Sequence, residues 1–282
     1  MATSAAGIPV GVNLTTIGVS AGWWLESARR LEAAGYAGVW SWDHFVSRGR
    51  LDDPMLECWT TLAATAAVTD RIHVGSFVSN VMNRHPAVLA RMVATIADLA
   101  PGRVDLGIGI GGHPAEHAAY GIDFPAPPER AARLEEAVAV LRALFTGGPV
   151  SYEGAWYRLR EAHASPAPSP VPRIVIGGER PAGARLAARI GDAWTCMADS
   201  YDQLRPVFDA ALAAAGRRPS DVAVIVGCDL PRDEGIRAAP ALADPMGWAE
   251  GWRERGADEL VLHWVTDDQL DHVLDAGERA WA

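Results

Sequence analysis

The chain has 282 residues, with 35 acidic against 25 basic side chains for a formal net charge of −10, and 49% of it is hydrophobic. This composition excludes a disordered chain and supplies ample material for a core, and an acidic chain without a basic run suits nucleic acid poorly. Every basic residue is arginine, so Schiff-base and P-loop lysine chemistry are excluded; any phosphate must be met by arginine, hydroxyls or backbone N–H groups.

Residues 1–7 lack the basic and long apolar regions of a secretory signal. No window approaches the ~18 uncharged apolar residues of a membrane-spanning helix. Short apolar runs predict buried strands over residues 8–14, 38–42, 72–79, 104–109, 173–177, 193–197, 222–227 and 259–264. Helical stripes lie between them. The first helix should end by Gly35. Val88, Leu89, Met92, Val93 and Ile96 follow Pro86, a suitable first-turn residue. Leu134, Val138, Leu141 and Phe145 form a second stripe. Leu270, Val273, Leu274 and Gly277 form a third, with Asp267 and Asp268 as expected caps. Residues 111–128 read as a long loop after the fourth strand, and residues 150–159 as a small hairpin before the proline-rich stretch 165–172.

Strands alternating with helices imply a parallel sheet, because parallel pairing needs crossover connections. The economical closed form is a (β/α)8 TIM barrel, with an open doubly wound sheet as the alternative. No repeat or linker interrupts residues 1–282, so one domain is expected. Cys58, Cys196 and Cys228 are odd in number and far apart, which suits neither a disulfide framework nor a metal site and points to a reducing cytoplasm.

Several short patterns carry possible chemistry. Gly107-Ile-Gly-Ile-Gly-Gly112 spells the dinucleotide fingerprint, but glycines at a strand end equally let backbone approach a ligand. Gly18-Val-Ser-Ala-Gly22 spells a nucleophile elbow, although Ser20 also suits a loop or cap. His113-Pro-Ala-Glu-His117 matches a zinc-peptidase pattern, which Pro114 disturbs by placing His113 ahead of the helix. Trp40-Ser-Trp-Asp-His44 closes the second strand and sets Asp43 and His44 at the C-terminal rim, where barrel active sites lie. Histidine suits proton transfer near neutral pH, but a capping aspartate and a structural histidine fit the same residues. Asn80, Asn83, Arg84 and His85 form a polar cluster at the same rim, with Arg84 able to pair with a carboxylate or phosphate. Ile176-Gly-Gly-Glu-Arg-Pro-Ala-Gly183 leads into a helix and could cradle an anion or be an ordinary turn.

The order of motifs resembles the luciferase-like monooxygenase superfamily, in its branch using the deazaflavin coenzyme F420. The carrying motifs are Gly35-Tyr-Ala-Gly-Val-Trp-Ser-Trp-Asp-His44, Arg71-Ile-His-Val-Gly-Ser-Phe-Val with Arg84-His-Pro86, and Pro101-Gly-Arg-Val-Asp-Leu-Gly-Ile-Gly-Ile-Gly111. They continue in Tyr152-Glu-Gly-Ala-Trp-Tyr157, Ile174-Val-Ile-Gly-Gly178 and Ala187-Ala-Arg-Ile-Gly-Asp-Ala-Trp194.

The resemblance implies an oxidoreductase with a barrel carrying the coenzyme at its C-terminal rim, a small-molecule substrate and a homodimer. Asp43 would contact the deazaflavin and His44 would act as acid or base. A cis peptide is implied at Phe77–Val78, against the ring. Asn80 matches a position holding the ring or its ribityl chain. Gly111 and Gly112 fall on the fourth-strand loop, and Gly177, Gly178 and Glu179 on the phosphate side. Sugar-phosphate dehydrogenases of this family carry carboxylates where Gly112 stands and near Asn13, and lysines for the substrate phosphate. Their absence, with eleven tryptophans, implies an apolar or aromatic substrate. An FMN-dependent monooxygenase of the same superfamily is the alternative.

Overall fold

The computed structural model describes residues 7–47 and 50–282. Eight parallel strands form the centre: β1 (Val10–Leu14), β2 (Gly38–Ser41), β3 (His73–Ser76), β4 (Val104–Gly109), β5 (Arg173–Gly177), β6 (Ala193–Met197), β7 (Ala223–Asp229) and β8 (Glu259–Val265). Each pairs with the next, and β8 pairs with β1, so the sheet closes into the expected (β/α)8 barrel and the open alternative falls away. The helices are α1 (Ala21–Ala33), α2 (Cys58–Val68), α3 (Pro86–Leu99), α4 (Pro114–Tyr120), α5 (Pro127–Leu144), α6 (Pro181–Ile190), α7 (Ala198–Ala214), α8 (Pro240–Ala243), α9 (Pro245–Glu254) and α10 (Asp267–Ala280). Among the described residues, no helix is long and apolar enough to cross a membrane.

The strands are buried on both faces, which is why they read as continuous apolar runs. Their outer faces meet the helices. Buried indoles find polar partners there: Trp24 Nε1 donates to Thr65 Oγ1 and Trp59 Nε1 to Ser79 Oγ, both at 2.9 Å. Trp194 stacks on Phe208 with centroids 4.6 Å apart.

A second apolar cluster fills the barrel itself: Trp40, Phe77, Val175, Ala193, Ile225 and Val261. Trp40 is accommodated because β1, β2 and β3 present glycine to it. A β-carbon on Gly11, Gly38 or Gly75 would stand 2.7, 3.0 or 2.5 Å from its ring atoms. Below this cluster, at the N-terminal end of the strands, Arg173 bridges Asp105 (2.8 Å) and Glu259, with His73 3.6 Å from Asp105. Burial pushes the Asp105 carboxyl up, but Arg173 and His73 outweigh it and hold it down at about 2. Glu259 is pushed above the usual carboxylate range by burial, despite its bond to Arg173, with the charge of Asp105 adding to the rise.

Three sequence expectations need correction. The loop over residues 111–128 contains α4, and α5 already begins at Pro127. The cap of α10 is Thr266, which exchanges bonds with Gln269; Asp267 and Asp268 lie in the first turn. The third strand stops at Ser76 and the chain rejoins the sheet only as Ser79–Asn80, beside β4, because Phe77 turns into the lumen. The hairpin lies outside the barrel as Val150–Glu153 paired with Arg158–Ala162.

Candidate active site

The end of β2 delivers Asp43, 2% exposed, to a cluster built on the Ser79–Asn80 segment and the turn before α3. Its Oδ2 accepts from Asn80 N–H (3.0 Å) and from Arg84 Nη1 (2.6 Å), and its backbone carbonyl accepts from Asn83 Nδ2. Arg84 also pairs with Glu57, the N-cap of α2. Burial works against the Arg84 charge, but Asp43 and Glu57 hold its pKa above the ordinary guanidinium value. Arg84 is therefore the largely enclosed keystone of the rim, not a surface salt bridge. Asp43 Oδ1 is buried and finds no hydrogen-bond partner among the described residues, and neither does Asn83 Oδ1.

His44 follows directly. Its Nδ1 lies 3.1 Å from Glu116 Oε2, an oxygen that also accepts from Phe45 N–H at 2.8 Å and Val46 N–H at 3.4 Å. Glu116 is fully buried. Burial pushes its carboxyl up, but the bonds from His44 and these two amides outweigh that and leave it below its ordinary value.

The zinc-peptidase pattern does not assemble. His117 Nδ1 faces the His113 carbonyl at 3.0 Å, so that nitrogen donates; Nε2 then accepts from Asn80 Nδ2 at 2.9 Å. Both nitrogens of His117 are thereby engaged, and its ring packs on Phe124 with centroids 4.1 Å apart. Among the described residues, the potential ligand atoms that do converge belong to His44, His113 and Glu116, all within 4.8 Å of one another. The elbow pattern also dissolves: Ser20 caps α1, with Oγ accepting from Trp23 N–H at 3.1 Å.

The peptide Phe77–Val78 is cis. Phe77 points into the barrel, and Val78 crosses the mouth above β4 and β5. Glycine makes that crossing possible: a β-carbon on Gly107, Gly109 or Gly177 would stand 3.0, 3.0 or 2.7 Å from a Val78 methyl. Gly111 likewise yields to the Asn80 amide, 2.5 Å from where its β-carbon would be, at a φ of 75°. Gly112 follows it, exposed. Asn80 is thus a brace: Nδ2 serves His117 and Oδ1 accepts from Met82 N–H. Gly178 is tied into the barrel, its N–H donating to Thr195 O and its carbonyl accepting from Trp194 Nε1. Glu179 and Arg180 are exposed at the start of α6.

Sequence reasoning missed the far side of the mouth. His263 Nδ1 lies 2.8 Å from Asp229 Oδ1, and its Nε2 accepts from Trp42 Nε1 at 3.3 Å. Trp42 packs on Trp264 with centroids 5.0 Å apart, and Arg232 lies 3.8 Å over the Trp264 ring. Trp264 has φ of 54°, a left-handed conformation costly for a bulky residue. Asn13 Oδ1 holds it by accepting from Trp264 N–H. The tryptophan count hinted at this wall, but nothing local marked these positions.

A family model described as luciferase-like monooxygenase matches residues 8–267. The chain belongs to the luciferase-like monooxygenase family. Among curated members, it is 34% identical over 231 residues to an F420-dependent glucose-6-phosphate dehydrogenase of Kineococcus radiotolerans, covering 79% of this chain and 67% of the relative. It is 35% identical over 196 residues to an F420-dependent hydroxymycolic acid dehydrogenase of Mycobacterium tuberculosis, covering 68% of this chain and 54% of the relative. The fold also matches an F420-dependent secondary alcohol dehydrogenase solved with an F420-acetone adduct, with a TM-score of 0.81, 21% identity, and 97% and 98% of the two chains covered.

Proposed function

We propose that this chain is a coenzyme F420-dependent oxidoreductase acting on an apolar or aromatic organic substrate, with His44 giving or taking the proton that accompanies hydride transfer. The cofactor and reaction class rest on curated relatives named as F420-dependent dehydrogenases. One observation in the fold carries the reading: Asp43 Oδ1, buried and without a hydrogen-bond partner among the described residues, is held beside His44 at the C-terminal rim.

That oxygen suits the polar edge of the deazaflavin. Arg84 fixes its carboxylate and balances its charge, so hydrogen-bonding capacity remains without an isolated buried ion. Val78 offers an apolar surface to one face of the ring. Gly111 and Gly112 keep the fourth-strand loop low, and Asn80 braces it. Gly177, Gly178 and Glu179 lie on the side where the coenzyme phosphate would approach the start of α6, and Arg180 supplies the nearby positive charge. When bound, F420 exchanges hydride at its C5. His44 handles the proton at the substrate oxygen, and the aromatic wall of Trp42, His263 and Trp264 excludes water and packs the substrate. This wall, the amide of Asn13 and the absence of lysine argue against a sugar phosphate, although the Kineococcus relative is named for one. The three buried free thiols suit a reducing compartment, and a homodimer is expected from the family resemblance alone.

The test pairs binding with turnover. Fluorescence titration should show F420 binding in preference to FMN, and 1-phenylethanol should reduce bound F420 where glucose 6-phosphate does not. His44→Ala should retain F420 affinity and lose roughly 10²–10⁴-fold in turnover. Selective FMN binding overturns the cofactor assignment; undiminished turnover in the variant removes the role of His44.

A further inference from the structure

The HxxEH pattern leaves one residue that the mechanism above does not use. Glu116 is fully buried on α4, yet its partners lie some seventy positions upstream, on the segment leaving β2. One oxygen, Oε2, collects the imidazole of His44 and the N–H groups of Phe45 and Val46. Three consecutive residues therefore converge on one acceptor.

We infer that Glu116 is a positioning residue that locks His44 in the Nδ1–H tautomer and thereby makes Nε2 the atom that exchanges the proton. The argument begins with donor chemistry. A carboxylate already receiving two backbone N–H groups is an acceptor only, so the proton between it and the imidazole sits on Nδ1. The free lone pair then lies on Nε2. Trp42 and His113 flank the ring edge-on, with centroids 6.0 and 5.9 Å away, and limit its rotation. Because Oε2 also holds the backbone after His44, the same oxygen sets both where the ring sits and which nitrogen is basic. Tautomer and orientation fixed by a bond to the distal nitrogen are what a general base requires. Free histidine prefers the other tautomer, with the proton on Nε2, which would present a donor where an acceptor is needed.

This inference rests on His44 being the proton-transfer residue, and its test keeps the two apart. In protein labelled with 15N-histidine, two-bond imidazole spectra report the tautomer of each ring, and His44→Ala identifies the relevant signals. The wild type should show His44 with Nδ1 protonated and Nε2 bare. Glu116→Ala should move the His44 population toward the Nε2–H form. Glu116→Gln preserves shape and an acceptor, so it folds where alanine fails and should keep the Nδ1–H tautomer in larger part. With 1-phenylethanol as hydride donor, Glu116→Ala should lower turnover about 10²-fold, with F420 affinity little changed. Added to His44→Ala, it should lower turnover no further. A wild-type Nε2–H tautomer, or a Glu116→Ala loss that persists in full in the His44→Ala background, overturns the inference. Full turnover by His44→Ala alone sinks the role of His44 instead, while the spectra still decide whether Glu116 sets its tautomer.

Discussion

Arg84 Nη1 lies 2.6 Å from Asp43 Oδ2, and the two side chains are 12% and 1% exposed. This ion pair joins the end of β2 to the segment entering α3, and Glu57 extends it to α2. Arg84→Met should therefore leave two acidic groups without their cation and destabilise the protein by about 3 kcal/mol. Urea unfolding at neutral pH measures this, and the same variant should bind F420 more weakly, because Asp43 loses its orientation. Unchanged stability and affinity together would show that the pair is dispensable.

The glycine channel around Val78 gives a prediction with its own control. Gly177→Ala places a methyl 2.7 Å from Val78 Cγ2. Overpacking of this kind costs about 1–3 kcal/mol. If Val78 moves into the mouth to relieve it, F420 affinity should fall ~10-fold or more, a shift of about 1.4 kcal/mol. Val78→Ala removes the clashing methyl, so the double variant should recover stability relative to Gly177→Ala alone. Additive losses would place the strain elsewhere.

The ion cluster beneath the barrel sets an acid limit. Asp105 titrates at about 2 in the fold, against 3.8 ordinarily. A folded value below the unfolded one means the contribution is present above the unfolded value and is lost as pH falls from about 4 toward about 2. Its size is about 2 kcal/mol. Asp105→Asn should lower stability at pH 7 and flatten the dependence of the urea midpoint below pH 5. An equally steep acid limb in the variant would assign the effect to other carboxylates.

Cys58, Cys196 and Cys228 are all buried and free. Burial pushes the Cys196 and Cys228 thiols up to about 12 and the Cys58 thiol well above its ordinary value. Thiol reagents act on thiolates, so the native protein should react slowly and the urea-unfolded chain should release three equivalents. Rapid labelling of one cysteine in the native state would expose a local opening that the packing does not suggest.

The barrel was legible in the sequence where strands are buried on both sides. The runs 104–109, 173–177 and 193–197 coincide with β4, β5 and β6. The third strand was not, because residues 72–79 are apolar or small apart from His73 and periodicity carries no sign of the point where Phe77 leaves the sheet. α4 was missed because its buried residues, Glu116 and His117, are polar and give no apolar stripe. Motif order placed Asp43, Asn80 and Gly111 in one neighbourhood, as the structure does. The role of Arg84 and the partners of Glu116 depend on contacts across about forty and seventy residues, and no local pattern encodes them. The HxxEH spelling drew attention to the right helix for chemistry that His117 cannot perform.

Trp40 sits against three bare backbones, Gly11, Gly38 and Gly75, on neighbouring strands. One large ring does the space-filling that stacked aliphatic layers do in other barrels. These four positions are therefore bound into a single volume constraint: adding carbon to any of the glycines demands a smaller ring, and shrinking the ring opens a void beneath the cofactor mouth. Drift at this level of the barrel has to proceed by paired exchange, so substitutions that look conservative one at a time should be rejected, while a coordinated swap of bulk between strands is tolerated.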